Sequence, residues 1–243
     1  MIFHALEDAV FLRRNNRFAA QVLWRGREVT AHVPNSGRLA ELLTPGAAVR
    51  VQPAPEGRRT VCSLVMAHNL DCWVVINAHY AEAVAYDAIC AGLVPGLEDV
   101  RALRREVYQG DSRFDMYCTV DDVPQFIEVK CATLQREGVA MFPDAPTERG
   151  RKHLRGLAEL AAGGVGCHVL FVLQHPLARS FAPNVATDPQ FAVLLDAAIA
   201  AGVWVHGLVC EVGPDSIEAV SAFPIGLSGA DTMTPRNKRA IKP

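Results

Sequence analysis

Short apolar runs separated by turn residues fill the first 80 positions of the chain. The pattern predicts five short strands, at residues 18–24, 28–33, 48–52, 60–67 and 72–77. Asn35 or Ser36 is placed to cap a short helix over 38–43, which Pro45-Gly46 ends. Several short strands with one short helix over this length are typical of a small Greek-key barrel of the oligonucleotide-binding (OB) kind.

From residue 81 the pattern changes to alternating helices and strands. Helices are predicted over 81–92, Glu148–Ala162 and 191–201, and strands over 104–108, 167–173, 203–211 and 216–223, with a hairpin at 115–130. The run 167–173 is continuously apolar, as in a strand that is buried on both faces. The chain is therefore predicted to consist of an all-β barrel over 1–80, an α/β domain with a mixed sheet and flanking helices over 81–230, and a basic, flexible tail over 231–243.

The hairpin at 115–130 carries the candidate chemistry. If its turn is centred between Asp121 and Asp122, paired residue numbers add up to 243, so Asp115 lies opposite Glu128. Because alternate residues of a strand share a face, Lys130 joins both acids. The opposite face is expected to be apolar, with Phe114, Met116, Ile127 and Val129.

Two directly opposed carboxylates repel each other unless a cation lies between them. Asp115 and Glu128 are therefore candidate ligands of Mg²⁺ or Mn²⁺, which prefer oxygen ligands. Lys130 is a candidate catalytic residue beside a scissile phosphate, and Glu106 on the preceding strand is a candidate third carboxylate. The alternative is a solvated polar face on which Arg113, Glu128 and Lys130 form an incidental charge cluster.

The choice of cation at position 130 bears on these alternatives. The chain has 20 arginines and only 4 lysines, so arginine is its usual cation. A compact, titratable ammonium serves a purpose that a planar, permanently charged guanidinium does not. The lysine at this position therefore favours a functional site.

Charge is unevenly distributed, although the formal net charge is only −2. Residues 1–80 carry nine arginines against six acids, residues 81–232 carry 11 basic and 20 acidic groups, and the last eleven residues carry four basic groups and no acid. A basic front end and a basic tail suit contact with a polyanion, although a small excess is also ordinary scatter. The candidate DNA contacts in the first domain are Arg13, Arg14, Arg17 and Arg38.

The remaining composition narrows the class of protein. The seven cysteines form no Cys-x-x-Cys pair and the eight histidines no His-x-x-x-His pair, so a zinc site is not expected. No apolar run is long enough to span a membrane, and the N-terminus has no signal-peptide pattern. We therefore expect a cytoplasmic protein with reduced thiols. Without a Gly-rich nucleotide loop or a recognisable cofactor motif, an enzyme that acts on a small molecule has little support.

A second candidate site is a cluster of basic residues on the first turns of the predicted helix Glu148–Ala162. Thr147 or Asp144 is placed to cap this helix. A helix N-terminus with adjacent cations is a phosphate site, whereas the alternative is a capped helix with a charged outer face. The candidate DNA contacts on its first turns are Arg149, Lys152 and His153.

Four separated segments together resemble the sugar fermentation stimulation protein family of bacteria and archaea: HVPNSGRLAELLTPG, SRFDMY, IEVKCATL and MFPDAPTERGRKHL. Members of that family are known as DNA-binding proteins linked to the regulation of sugar, notably maltose, metabolism. The resemblance implies an N-terminal OB barrel and a C-terminal domain similar to the PD-(D/E)xK nuclease fold. In that fold carboxylates bind Mg²⁺ and a lysine assists hydrolysis, which makes Asp115 and Glu128 the metal ligands and Lys130 the catalytic lysine. Glu106 matches the acid before the aspartate, and Cys131 replaces the usual serine.

Two functions remain open at this point. One is a metal-dependent nuclease that acts on DNA, and the other is a non-catalytic, DNA-binding regulator of sugar metabolism. No recognition-helix pattern stands out, so binding to single- or double-stranded DNA without sequence preference is expected in both cases.

Overall fold

The N-terminal strands form one sheet that closes on itself. They are β1 (Glu7–Asn16), β2 (Ala19–Trp24), β3 (Arg27–His32), β4 (Ala48–Pro53), β5 (Cys62–Asn69) and β6 (Cys72–Val75). Their order is β3-β2-β1-β4-β5-β6, and a parallel pairing of β3 with β5 closes a five-stranded barrel. The structure is a computed structural model, and it describes residues 1–110 and 112–226.

The barrel interior is filled by alternate residues of its strands. Val22, Val49 and Leu64 come from three different strands and are all completely buried in one apolar cluster. This alternation is the period-2 pattern of a strand with one face toward a core. The predicted OB-like barrel is confirmed.

One local expectation for the barrel is wrong, and one strand was missed. The predicted helix over 38–43 is a single turn, in which Leu42 and Leu43 both donate backbone hydrogen bonds to the Leu39 carbonyl. Leu39 has a φ of 52°, and a left-handed residue cannot continue into an α-helix. Strand β1 was not among the predicted strands, because its charged second half hides the alternation of its first half.

The other residues that the structure describes form a mixed six-stranded sheet, a small sheet and three helices. The strands are β7 (Arg101–Gln109), β8 (Ser112–Val120), β9 (Val123–Ala132), β10 (Leu134–Arg136), β11 (Val139–Phe142), β12 (Gly166–Leu173), β13 (Ser180–Pro183), β14 (Trp204–Val212) and β15 (Ile217–Pro224). The helices are α1 (His79–Cys90), α2 (Glu148–Ala162) and α3 (Pro189–Ala200). The large sheet has the order β15-β14-β12-β9-β8-β7. Its central strands β9, β12 and β14 are parallel, and its outer strands are antiparallel.

Helices cover both faces of the large sheet. Helix α1 packs on one face, against residues such as Ile127, Leu170 and Leu208. Helices α2 and α3 pack on the other, around Phe171 and its neighbours. The continuously apolar β12 lies between these two cores, as its sequence predicted. The small sheet β10-β11-β13 was missed, because strands of three or four residues show no period.

The barrel and the sheet share an apolar core. Val65, Met66 and Val75 of the barrel belong to the same buried cluster as helix α1. The N-terminal residues also cross over, because the Met1 ammonium donates to the Ile217 carbonyl at 2.8 Å. The two folding units therefore pack through apolar side chains. The predicted tail over 231–243 lies outside the described residues, and within these residues no helix is long and apolar enough to cross a membrane.

The register of the β8–β9 hairpin agrees with the prediction. Met116 pairs with Ile127 and Val120 with Val123, and both pairs add up to 243. The expected position of Phe114 is wrong, because it packs against Phe126 in the core under α2 and α3. The paired ladder ends at Met116, so the alternation of faces is interrupted just before that residue.

Candidate active site

A cleft of about 670 Å³ lies where the barrel, the large sheet and the start of two helices meet. Its lining comes from the barrel at Arg17 and 35–37, from the start of α1, from β8 and β9, and from residues 133–134 and 141–150. Asp115, Glu128 and Lys130 all line this cleft. The structure therefore brings together the three residues that the hairpin register placed on one face.

Glu128 is the most buried of the three, with only 2% of its surface exposed. Its Oε1 contacts both Lys130 Nζ and His153 Nδ1, whereas its Oε2 is buried without a hydrogen-bond partner. Burial opposes ionisation of this carboxyl, but the charges of Lys130 and His153 outweigh it and lower the pKa of Glu128. Glu128 is therefore a carboxylate that lines the cleft and has one oxygen without a partner.

Asp115 is half-buried and lies on β8 directly before Met116, the last residue paired with β9. Its Oδ2 accepts a hydrogen bond from the Val129 backbone N–H at 2.7 Å, which fixes the side chain where regular strand pairing has ended. Burial, followed by the charge of Glu128, raises the pKa of Asp115 from 3.8 to about 6, although Lys130 acts in the opposite direction. Nearby positive charge would favour the ionised form of this carboxyl.

Lys130 reaches the cleft from β9 with most of its side chain buried. Only 14% of that side chain is exposed, and the Nζ atom contacts Glu128. The ammonium therefore lies between a buried carboxylate and the open space of the cleft. A compact cation held at this place can donate to an oxygen of a bound phosphate.

Glu82 is a further acid that the sequence reasoning missed. It lies in the first turn of α1, is half-buried and lines the cleft, and its charge contributes to the raised pKa of Asp115. A single glutamate in a helix that is otherwise rich in alanine carries no motif. Only the packing of α1 over β9 brings this acid close to the hairpin.

Glu106 is not brought into the cleft. It is exposed and its carboxylate accepts from Arg113 at 3.3 Å, outside the cleft lining. Its φ of 53° is left-handed, and it lies between the paired residues Arg105 and Val107. The expectation of Glu106 as a catalytic carboxylate has no support from this geometry.

His153 was expected to contact DNA, and its position corrects that expectation. It is 6% exposed, and its Nδ1 contacts Glu128 beneath the cleft. Helix α2 points it inward because Thr147 caps the helix by accepting from the Gly150 N–H at 3.1 Å, which fixes the phase of the first turn. His153 therefore positions Glu128 and is screened from a nucleic acid.

The predicted arginine contacts separate into two groups. Arg17 and Arg149 are exposed and line the cleft, and Lys152 is exposed about one turn after Arg149 on α2. Arg14 instead donates to backbone carbonyls, to Arg17 at 2.6 Å among others, so it stabilises the chain around the first turn of the barrel. The other predicted contacts lie outside the cleft lining: Arg13 pairs with Glu28, and Arg38 lines a separate cavity.

Two distant segments meet at the wall of the cleft. The Leu39 backbone N–H donates to Asp144 Oδ2 at 3.0 Å, which joins the barrel to the segment before α2. Gly37 lies directly against the same carboxylate, and an added Cβ there would overlap its oxygens. The segments HVPNSGRLAELLTPG (residues 32–46) and MFPDAPTERGRKHL (residues 141–154) are therefore parts of one surface.

The donors of the cleft suit a hard cation that keeps some of its water. Within residues 1–110 and 112–226, no three His, Cys, Asp or Glu side chains are grouped closely enough to hold a metal ion. Mg²⁺, however, is commonly held by one or two carboxylates and completed by water and phosphate. The free Oε2 of Glu128 and the raised pKa of Asp115 fit that mode of binding.

Comparisons with known proteins cover nearly the whole chain. The family model described as SfsA N-terminal OB domain matches residues 12–76, and the one described as Sugar fermentation stimulation protein RE domain matches residues 79–216. A sugar fermentation stimulation protein homolog of Desulforamulus reducens is 39% identical over 93% of this chain and 95% of its own length. One of Clostridium botulinum is 38% identical over 93% of this chain and 100% of its own.

A solved structure resembles the fold over a similar extent. It is Pyrococcus furiosus SfsA in complex with Ca²⁺, with a TM-score of 0.84 and 31% sequence identity, covering 93% of this chain and 97% of that one. The relatives and the solved structure agree with each other and with both family models. The chain therefore belongs to the sugar fermentation stimulation protein family.

Proposed function

We propose that this protein binds DNA and hydrolyses its phosphodiester bonds with Mg²⁺ or Mn²⁺ held by Asp115 and Glu128. The observation that carries the proposal is the buried, unpartnered Oε2 of Glu128, a residue that lines the same cleft as Asp115. Leaving a charged oxygen buried without a partner costs free energy unless a cation fills the place. The Pyrococcus furiosus relative, which was solved with Ca²⁺, supports a site for hard cations.

A bound divalent cation supplies positive charge that offsets the charge developing on the phosphate during attack by water. Lys130 provides a second positive charge from β9 and can donate from Nζ to a phosphate oxygen. His153 and Lys130 keep Glu128 ionised and fix its direction. The raised pKa leaves Asp115 protonated below about pH 6, and the positive charge of a bound cation would favour its ionised form at lower pH.

The surroundings of the cleft fit a nucleic acid backbone. Arg17, Arg149 and Lys152 are exposed at or beside the cleft, where they can contact phosphates without reading bases. A mixed sheet with an acid, a second acid and a lysine across a hairpin also supports the PD-(D/E)xK type of nuclease fold. DNA as partner and seven unpaired cysteines support a cytoplasmic location.

The alternative is a non-catalytic, DNA-binding regulator of sugar metabolism. One observation favours it: Oε1 of Glu128 already contacts two nitrogen atoms, the Lys130 ammonium and Nδ1 of His153. Such a cluster can be self-sufficient, with the acid neutralised inside the fold. On this alternative DNA is held by exposed arginines and lysines, and binding weakens steeply with salt.

A cleavage assay on single- and double-stranded DNA with Mg²⁺ and with chelator separates the two functions. We expect cleavage that requires the metal, and a loss of about 100-fold or more in Lys130→Ala and Asp115→Asn. Glu106→Gln is the matched control, since it removes a nearby acid that lies outside the cleft lining. Metal-independent cleavage, equal cleavage by Lys130→Ala, or no cleavage beside intact DNA binding would refute the nuclease and leave the regulator.

A further inference from the structure

A second groove, of about 970 Å³, crosses the surface of the barrel. It is called here the barrel groove, and it is lined by residues 15–16, 18–19, 30, 32, 34, 52–55, 58–60, 63, 77 and 79. Most of these residues come from the turn between β1 and β2, the end of β3, and the loop between β4 and β5, and the others from β5 and the start of α1. In an OB barrel, this face and these loops are where oligonucleotides bind.

The charge of the barrel groove has one sign. Arg58 and Arg59 are exposed on its loop, and His32 and His79 contribute two imidazoles. Among the described residues that line this groove, none is Asp or Glu. The groove is therefore complementary to a chain of phosphates, in contrast to the acid-lined cleft beside it.

Phe18 gives the barrel groove a flat apolar surface. Its side chain is 50% exposed, although phenylalanine is normally buried. Its backbone is held on both sides, since its N–H donates to Asn16 Oδ1 at 2.9 Å and its carbonyl accepts from the Val33 N–H at 2.9 Å. An exposed ring on a fixed backbone suits stacking with a nucleic acid base, whose face is accessible when the strand is single.

The barrel groove continues into the cleft. His79, the first residue of α1, lines both, and Arg17 of the cleft is the chain neighbour of Phe18 in the groove. A single DNA strand that stacks on Phe18 would therefore pass His79 and enter the cleft that Lys130 lines. The barrel groove, where bases would bind, is therefore continuous with the cleft, where a phosphate would bind.

We propose that the barrel groove binds single-stranded DNA and leads it into the cleft, so that single strands are the preferred substrate. Phe18 stacks against a base, and Arg58 and Arg59 hold phosphates. The cleavage part of this inference rests on the proposed function, whereas the binding part does not. The test therefore measures binding without turnover.

The experiment is fluorescence anisotropy with a labelled oligonucleotide of about 16 nucleotides, the upper length that one OB barrel covers. It is performed in chelator, with the same sequence as a single strand and as a duplex. Phe18→Ala is expected to weaken single-strand binding about tenfold and to leave duplex binding nearly unchanged, whereas Phe18→Trp retains it. The double variant Arg58→Ala/Arg59→Ala is expected to reduce the slope of log affinity against log salt by about 1.4.

The barrel itself offers matched controls. Leu23→Ala removes another exposed apolar side chain, and Arg27→Ala another exposed arginine, both outside the barrel groove. A thermal melt of each variant confirms that the barrel is folded. Equal affinity for single strand and duplex, or equal effects of Phe18→Ala and Leu23→Ala, overturns the inference. If the groove variants lose single-strand binding but the parent chain cleaves no DNA, the nuclease proposal is refuted and the groove proposal stands. If the parent chain shows Lys130-dependent cleavage but the groove variants bind single strands as the parent does, the groove proposal is refuted and the nuclease proposal stands.

Discussion

Replacing Asp115 by asparagine removes a negative charge that destabilises the folded protein when no metal is bound. Burial and the charge of Glu128 raise the pKa of Asp115 from 3.8 to about 6. A carboxyl with a raised pKa in the folded state destabilises that state once it ionises. The cost is absent below about pH 4, grows between pH 4 and 6 and is constant above that window. Asparagine carries no such charge, and its Oδ1 can still accept the hydrogen bond from Val129 N–H.

The size of the effect follows from the shift. A rise of about two pH units corresponds to about 3 kcal/mol of free energy of unfolding. Because Asp115 is only half-buried, solvent screening reduces this value, and we expect Asp115→Asn to gain about 1–3 kcal/mol at pH 8 in chelator. For a chain of this length that gain raises the unfolding temperature by about 2–10 °C. The variant is expected to show no gain at pH 4.

Thermal unfolding followed by circular dichroism at pH 4 and pH 8, with chelator and with Mg²⁺, checks this expectation. Mg²⁺ should raise the unfolding temperature of the parent chain, because a ligand that binds only the folded state stabilises it, and should affect Asp115→Asn much less. Glu106→Gln is the control and is expected to stay within about 0.5 kcal/mol of the parent. A variant that is no more stable than the parent at pH 8 in chelator, or that gains equally at pH 4, would contradict the reasoning.

Three further predictions concern residues whose contacts hold the cleft and the nearby barrel turn in place. His153→Ala leaves buried Glu128 with one hydrogen-bond partner fewer, and urea unfolding should show a loss of about 1–3 kcal/mol in the free energy of unfolding, with a smaller loss in His153→Gln. Gly37→Ala places a Cβ against the carboxylate of Asp144. The rate of DNA cleavage should fall even at a temperature at which a melting curve shows the variant to be fully folded. Arg14→Ala removes donors to backbone carbonyls, so it should lower the unfolding temperature while the salt dependence of DNA affinity stays unchanged.

The hairpin shows how far the sequence predicted the candidate site. A turn of two residues fixes the pairing of both strands, and Asp121 and Asp122 both adopt the left-handed conformation that such a tight turn requires. The register of Met116 with Ile127 therefore followed from counting residues outward from the turn. The same counting failed for Phe114, since it assumes an uninterrupted strand.

The sequence by itself determined the elements whose signals are local. A barrel of short alternating strands, the buried β12, the capped helix α2 and the two acids with a lysine on one hairpin depend on neighbours within a few residues or across a turn. Only the tertiary structure decided which other side chains share the cleft. Glu82 enters because α1 packs over β9, His153 turns inward to Glu128, and Glu106 turns outward at a left-handed residue. These placements depend on contacts between elements far apart in the chain, and the period of the sequence carries no information about such contacts.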